Sequence, residues 1–276
     1  MGMEPTVRTH AERVAARDGY FAPESIVRRL GSSPVTPFLG GGAAVLLQVA
    51  HPLVAAGVAD HSGYDRNLWR RLVRTLRALY LITFGDRDEA ERAGASVQAV
   101  HRRVHGTLST RLGPFPAGTP YSAADPDLML WVHTTLVYGS LAAYERFVAP
   151  LSFDDRDEYV REMSVVAGLF GAPPSALPHS YAEHREYFLD QLGRGVITVT
   201  PPALEVAAVI LATPLPAPLR LLVPAHRLAT ARLLPGRIRR EYGLQWNGVR
   251  ELALPLAGSA VRYASAPIFR LAAAHL

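Results

Sequence analysis

Two histidines four residues apart are the first residues of this sequence whose type and spacing can support chemistry. His101 and His105 lie in the stretch VQAVHRRVHGTLS, residues 97–109, which we predict to be helical. At that spacing, two imidazoles lie one turn apart on the same face of a helix. Three interpretations are open: both are surface residues, both bind one metal ion, or one of them binds the iron of a cofactor.

The residues around the pair argue against a zinc or di-iron site. A catalytic zinc needs three protein ligands, and a zincin places glutamate directly after the first histidine, where this chain has Arg102. The guanidinium groups of Arg102 and Arg103 also repel a cation. A di-iron bundle needs Glu-x-x-His pairs on two helices, and no clear pair is found. One neutral imidazole that ligates haem iron is compatible with the sequence.

A cluster of polar side chains lies in the segment RRLVRTLRALYLITFGD. As a helix, this segment places Arg71, Arg74 and Thr75 on adjoining parts of one face. The apolar stripe beside them consists of Leu72, Leu76, Leu79 and Ile82. The polar cluster can hold a carboxylate or polarise a bound oxygen species, and a solvated helix face is the alternative.

Two further histidines lie inside apolar segments. His51 in LLQVAHPLVAAG is followed by Pro52, and His133 lies in DPDLMLWVHTTLVYGSLAAYERF. A hydrogen-bonded core histidine is the plain interpretation of each. The functional interpretation is that both line a pocket, and His133 is also a candidate axial iron ligand.

The elements that position these residues are predicted to be helices, because apolar residues recur at spacings of three and four among Ala, Leu, Arg and Glu. Asp86 and Glu89 predict a capping box, Gly106 predicts the end of that helix, and Asp125 with Pro126 predicts the start of the next one. The best strand candidate is GVITVT, residues 195–200. The predicted helices cover residues 6–17, 23–31, 40–59, 65–83, 86–107, 123–149, 154–170, 179–192, 201–212, 217–233, 235–242 and 246–273, the last with a break.

We therefore expect one all-α domain over residues 1–276, without repeats. The two most apolar segments are interrupted by Gln48, His51 and Pro52 or by three prolines, so we expect no transmembrane segment. The charged N-terminus has no apolar signal region, which predicts a cytoplasmic protein. Residues 251–276 are apolar enough to touch a membrane or a partner, although we favour a packed terminal helix.

The composition excludes several kinds of chemistry. The 276 residues contain no cysteine and no lysine, so disulfides, iron–sulfur clusters, thiolate haem ligation, Schiff bases and a P-loop lysine are all excluded. The net charge is +5 at pH 7. The arginines alternate with Leu and Val and form no dense basic face, so we expect no nucleic-acid partner.

Five motifs in order resemble the MpaB-type oxygenase family, which is related to the latex-clearing proteins. They are LLQVAHPLVAAGVADHSGY, RRLVRTLRALYLITFGD, VHRRVHG, YSAADPDLMLWVHTTLVYGSL and LLPGRIRREYGLQW. The resemblance covers about residues 30–250 and implies a globin-like helical core that holds haem b, with a histidine as the proximal iron ligand. It implies that His105 is this ligand and that Arg71 and Thr75 belong to the haem pocket. His101 then has a supporting or surface role.

The sequence departs from the latex-clearing proteins at two places. Arg74 occupies the position of their distal lysine, and a protonated guanidinium cannot ligate iron. No carboxylate lies between Val49 and Ala59, where their glutamate base is found, so His51 is the candidate distal acid or base here.

These features predict a haem b-dependent oxygenase or oxidase, acting as a dioxygenase or in a peroxidase-like way. Its partners would be a small lipophilic, alkene-containing substrate and dioxygen or peroxide. A non-catalytic carrier of haem or of a lipophile shares the same fold and ligand. A cofactor-free helical interaction protein, with the histidines in its core, is the third interpretation.

Overall fold

The computed structural model describes residues 19–61, 66–212 and 217–275, and it describes the side chains of all of these except 66–72, 217–219 and 263–275. The described chain is all-α, as predicted, with twelve α-helices and two short strands. The predicted helix 6–17 lies outside the described residues. The α-helices are α1 Ile26–Gly31, α2 Gly41–Val49, α3 Pro52–His61, α4 Arg66–Phe84, α5 Arg87–His101, α6 Pro126–Phe147, α7 Phe153–Leu169, α8 Tyr181–Gly193, α9 Pro201–Ala212, α10 Val223–Leu233, α11 Gly236–Glu241 and α12 Gly248–His275. A π-helix at Thr36–Gly40 leads into α2, and 3₁₀ turns lie at Pro174–Ala176 and Ala217–Leu222.

The predicted helix 40–59 is two helices that meet at a sharp elbow. The π-helix with α2 and the following α3 are bent by 101° relative to one another. His51 occupies the break and Pro52 begins α3, where its missing N–H costs no hydrogen bond. The main-chain carbonyl of Ala50 at the break accepts the Thr198 N–H at 2.8 Å.

The main core forms where α6 crosses α2. Gly40 and Gly139 let the two helices approach, since an ideal Cβ at Gly139 would lie 2.9 Å from the Gly40 carbonyl oxygen. Trp131 of α6 is fully buried, and its indole N–H donates to the Leu47 carbonyl at 3.2 Å. Helices α9, α10 and α12 bury their apolar faces around the same core.

Helices α4 and α5 form an antiparallel hairpin with a two-residue connection. The predicted capping box is confirmed: the Glu89 N–H donates to the Asp86 carboxylate at 2.8 Å, and the Asp86 N–H donates to Glu89 at 3.0 Å. At the same end, the Arg28 guanidinium of α1 donates to the Thr83 and Phe84 carbonyls at 3.0 and 3.1 Å. The turn end of the hairpin is therefore fixed by local and tertiary contacts.

The predicted end of helix α5 is wrong by six residues. The helix ends at His101, and His105–Thr107 forms strand β1, which pairs antiparallel with β2, Pro120–Ser122. Gly106 therefore does not cap the helix but lies in β1 opposite Tyr121. An ideal Cβ at position 106 would overlap the Tyr121 hydroxyl, so the close approach of that ring requires glycine.

The strand predicted at residues 195–200 is also wrong. The segment after Gly195 has no regular secondary structure and pairs with no strand. Its N–H groups donate instead to the Ala50 carbonyl from Thr198 and, at 2.9 Å, to the Glu241 carboxylate from Val199. The β-branched composition indicated an extended backbone but did not indicate what the backbone binds.

The C-terminal helix packs against α10 through its buried residues Leu254 and Val261, and it runs without the predicted break. Among the described residues, no single helix is long and apolar enough to cross a membrane. The elbow of α2 and α3 passes that test only as a bent pair, and the side chains that make it apolar belong to the core.

Candidate functional site

The two histidines of the opening motif lie at the same end of the α4–α5 hairpin but not on one helix. His101 is the last residue of α5 and is half-buried, whereas His105 begins strand β1 and its side chain is exposed. The main-chain carbonyl of His105 pairs with Nε2 of His61 at 3.1 Å. This contact uses the backbone of His105 and leaves its imidazole outside the hydrogen bond.

The hairpin brings the predicted arginine cluster to this end. Because the connection between α4 and α5 is short, the end of α5 lies beside the N-terminal half of α4. In that half Arg74 is exposed and Thr75 is half-buried. The backbone of Arg71 belongs to the same stretch of α4, and its side chain is not among those that the structure describes.

Apolar side chains are exposed beside these polar ones. Val73 and Leu76 of α4 are 45% and 38% exposed, and Val100 of α5 is 37% exposed. The predicted apolar stripe is therefore only partly buried: Ile82 is in the core, whereas Leu76 faces outward. Arg74 and Leu76, two residues apart, point to nearly opposite sides of α4, so the guanidinium and the exposed apolar side chains share this end of the hairpin but not one helix face.

A second set of side chains supports the strand that carries His105. The Tyr121 hydroxyl of β2 donates to the Asp60 carboxylate of α3, and burial and this carboxylate both raise the pKa of Tyr121. The ring of His61 meets the ring of Tyr121 edge-on, with the ring centres 6.4 Å apart. The end of α3 therefore fixes β1 and β2, and with them the position of His105.

His51 at the elbow is buried, and it is held neutral. Burial lowers its pKa to about 4, although the nearby Asp125 carboxylate partly opposes the shift. Its Nδ1 accepts the Leu53 N–H at 3.3 Å, so the neutral ring carries its proton on Nε2. At neutral pH the neutral His51 ring can donate a hydrogen bond from Nε2, but it is not protonated and so cannot act as a general acid.

His133 lies in the interior of α6 beside His184 of α8. Burial, with a smaller contribution from His184, lowers the pKa of His133 to about 3. Nε2 of His184 donates to the Thr134 carbonyl at 3.0 Å. Nε2 of His133 and Nδ1 of His184 are buried and have no hydrogen-bond partner in the described part of the chain. Because Nε2 of His184 donates, its buried Nδ1 carries a lone pair.

The structure thus separates the predicted site residues into two groups. His105, Arg74 and Thr75 lie at one end of the hairpin, whereas His51 and His133 are core histidines of α2, α3 and α6. Sequence reasoning missed His184, Asp60 and Tyr121. No local pattern marks them, because each acts on a residue at least 50 positions away.

No group of three or more His, Asp or Glu residues within the described ranges is placed to hold a metal ion. A cleft of about 250 Å³ lies between α6 and α10. None of the predicted site residues lines it; its walls are Tyr138, Ala142, Glu145, Arg146, Arg232 and Leu233.

Comparison with known proteins gives one result that bears on this site. Residues 28–263 match the family model described as "ER-bound oxygenase mpaB/B'/Rubber oxygenase, catalytic domain". No curated protein and no solved structure matches the chain. The matched range contains both groups of histidines and the whole α4–α5 hairpin.

Proposed function

Because the chain belongs to the family of MpaB-type and rubber oxygenase catalytic domains, we propose that it is a haem b-dependent oxygenase with His105 as its iron ligand. That membership makes it an enzyme of an oxygenase family. The observation that carries the proposal for haem is the end of the α4–α5 hairpin. An exposed imidazole, an exposed guanidinium and exposed apolar side chains are all found at that end of the hairpin.

The residues present fit a haem. The macrocycle is flat and apolar, and Val73, Leu76 and Val100 offer it an apolar surface. Its carboxylates need cationic partners, and Arg74 is exposed on the same helix, with Arg71 one turn before it. Since a haem can be held by one axial imidazole, the proposal requires no cluster of metal ligands.

Each residue would have a separate task. His105 would ligate the iron in its neutral form, and the contact of His61 and the Tyr121–Asp60 pair with its strand would fix its orientation. Arg74 would pair with a carboxylate of the cofactor, and Thr75 would line the pocket. When bound, haem supplies the chemistry of dioxygen or peroxide, while the protein controls access and polarity.

We propose a lipophilic, alkene-containing small molecule as substrate. Membership of an oxygenase family supports a small-molecule substrate; its lipophilic, alkene-containing character stays a prediction from the sequence. His51 remains the candidate distal group, in the role of a hydrogen-bond donor from Nε2. The globin-like core, the single domain over residues 1–276 and the cytoplasmic location stay predictions.

The first test is the visible absorption spectrum of the full chain expressed with a haem precursor. The wild type is expected to show a Soret band, and His105→Ala is expected to lose or shift it. His179→Ala is the matched control, since His179 is an exposed histidine outside the motif, and this variant should keep the band. Oxygen consumption with small alkenes would then test the reaction.

Two results would contradict parts of the proposal. A Soret band unchanged in His105→Ala would assign the iron to His133 or His51, and the corresponding alanine variants would show which. A folded wild type that binds no haem would overturn haem dependence altogether. Haem binding without turnover of any alkene would favour the carrier that shares this fold.

A further inference from the structure

The outward face of α12 is apolar although it is exposed. Val249, Leu252 and Leu256 are 75%, 81% and 74% exposed, which is far above the exposure of the other large apolar side chains described, apart from Leu221. They recur at spacings of three and four, so they lie along one face of the helix. The opposite face carries the buried Leu254 and Val261, and the helix packs against α10.

The element beside this helix also exposes a leucine. The 3₁₀ turn Ala217–Leu222 packs beside α12, and its Leu221 is 85% exposed. The four most exposed large apolar side chains of the described chain thus belong to two neighbouring elements. We call Leu221, Val249, Leu252 and Leu256 the apolar ridge.

The exposed residues of α12 between 249 and 260 are Val249, Arg250, Leu252, Pro255, Leu256, Ser259 and Ala260. Arg250 lies about 100° around the helix from Val249, outside the face that carries Val249, Leu252 and Leu256. A helix that is apolar on both faces is normally covered on both faces. We therefore expect a partner to cover the apolar ridge.

The charges at the edges of the ridge indicate which partner. Arg220, Arg250 and Arg262 are exposed on the same two elements; Arg250 and Arg262 each donate to a main-chain carbonyl, of Gln245 and of Phe147, and keep their positive charge. The carboxylate beside them, Glu251, is already bound by Arg232 at 3.1 Å and by Arg146 at 3.2 Å. The rim is therefore cationic around an apolar centre.

We propose that the apolar ridge docks the protein on an anionic phospholipid surface. Leu and Val side chains would enter the acyl boundary while arginines contact lipid phosphates, as in an interfacial amphipathic helix. A second copy of the chain suits the ridge less well. A two-fold pairing places the same patch on both partners, so it would bring two cationic rims together. This inference does not depend on haem or on the identity of the substrate.

The test is co-sedimentation of the full chain with vesicles of phosphatidylcholine alone and of phosphatidylcholine mixed with phosphatidylserine. The wild type should bind the mixed vesicles more tightly. Leu252→Asp should weaken that binding at least tenfold, because a charge would enter the acyl boundary. Leu189→Asp on α8 is the matched control, since Leu189 is a 48% exposed leucine outside the ridge, and it should bind as the wild type does.

A second variant tests the charge of the rim. Arg250→Gln should weaken binding about fivefold on the mixed vesicles and leave binding to neutral vesicles unchanged. Thermal unfolding should show that all variants are folded, because every substituted residue is exposed.

Three results would overturn the proposal. One is a wild type that does not sediment with mixed vesicles. Another is Leu252→Asp binding as tightly as Leu189→Asp. The third is a wild-type dimer that Leu252→Asp converts to a monomer, which would show that a second copy covers the ridge.

Discussion

At the scale of single residues, Gly42 shows how little space the core leaves. Its neighbours belong to α10: an ideal Cβ at position 42 would lie 2.7 Å from Cε1 and 3.0 Å from Nε2 of His226, and it would overlap the Thr230 hydroxyl. The His226 ring cannot turn away freely, because its Nδ1 donates to the Phe38 carbonyl at 3.0 Å. Gly42 thus sets the distance between α2 and α10.

We expect Gly42→Ala to lower the free energy of unfolding by about 1–3 kcal/mol, the usual range for overpacking a core. Gly41→Ala is the matched control, because nothing lies within 4 Å of its ideal Cβ. Since alanine favours a helix over glycine, Gly41→Ala should be neutral or stabilising by up to about 1 kcal/mol. Urea unfolding measures both, and equal effects of the two substitutions would contradict the close contact.

At the scale of elements, the α4–α5 hairpin depends on its capping box. We expect Asp86→Ala to cost about 1 kcal/mol of stability, because it leaves the Glu89 N–H without its acceptor. Asp88→Ala removes a charge from the same helical turn but no cap, so it should cost at most a few tenths of a kcal/mol. The urea midpoints of the two variants compare them. If they are equally destabilised, the charge of the first turn matters rather than the cap.

The sequence predicted the elements whose determinants are local. The capping box of α5 and the Asp125 cap of α6 each need residues within a few positions, and both are confirmed. The strand at residues 195–200 failed because a strand also needs a partner, and here a carboxylate and a helix-end carbonyl take its N–H groups. The elbow was missed for a related reason: Pro52 permits a helix start, but the acceptor role of Ala50 depends on Thr198.

The candidate site was predictable to the same extent. The helix that carries Arg74 and Thr75 was predicted from the spacing of its apolar residues, and that helix is confirmed. The placement of His105 on a strand was not predictable from the run of residues before it. That strand exists because β2 lies opposite and because Asp60 and His61 hold it from α3. The family resemblance named His105 as the candidate ligand. The helix that the sequence predicted around His105 was wrong, because His105 lies on strand β1.

At the scale of the whole molecule, buried histidines make stability depend on pH. Burial lowers the pKa of His51 and His226 to about 4 and that of His133 to about 3. In the unfolded chain an imidazole titrates near 6.5, so the unfolded state binds more protons between these values. Their contribution is complete above about pH 6.5 and is lost as the pH falls towards 4.

We expect the free energy of unfolding to fall between pH 7.5 and pH 5 by on the order of 2 kcal/mol for each such histidine. His226→Gln should reduce this fall by about that amount, because glutamine does not titrate. His179→Ala, an exposed histidine, should leave it unchanged. Urea unfolding at the two pH values measures the difference. A fall of the same size in His226→Gln and the wild type would show that other groups cause it.

The elbow between α2 and α3 has a consequence for how the chain is made. Its polar groups are satisfied from far along the sequence: the Ala50 carbonyl by Thr198, the Phe38 carbonyl by His226 and the Leu46 carbonyl by the Tyr242 hydroxyl at 2.7 Å. During synthesis, the central helices therefore emerge nearly two hundred residues before their last partner. A nascent chain must hold its most apolar segment without these partners until then, which makes that interval its most aggregation-prone state.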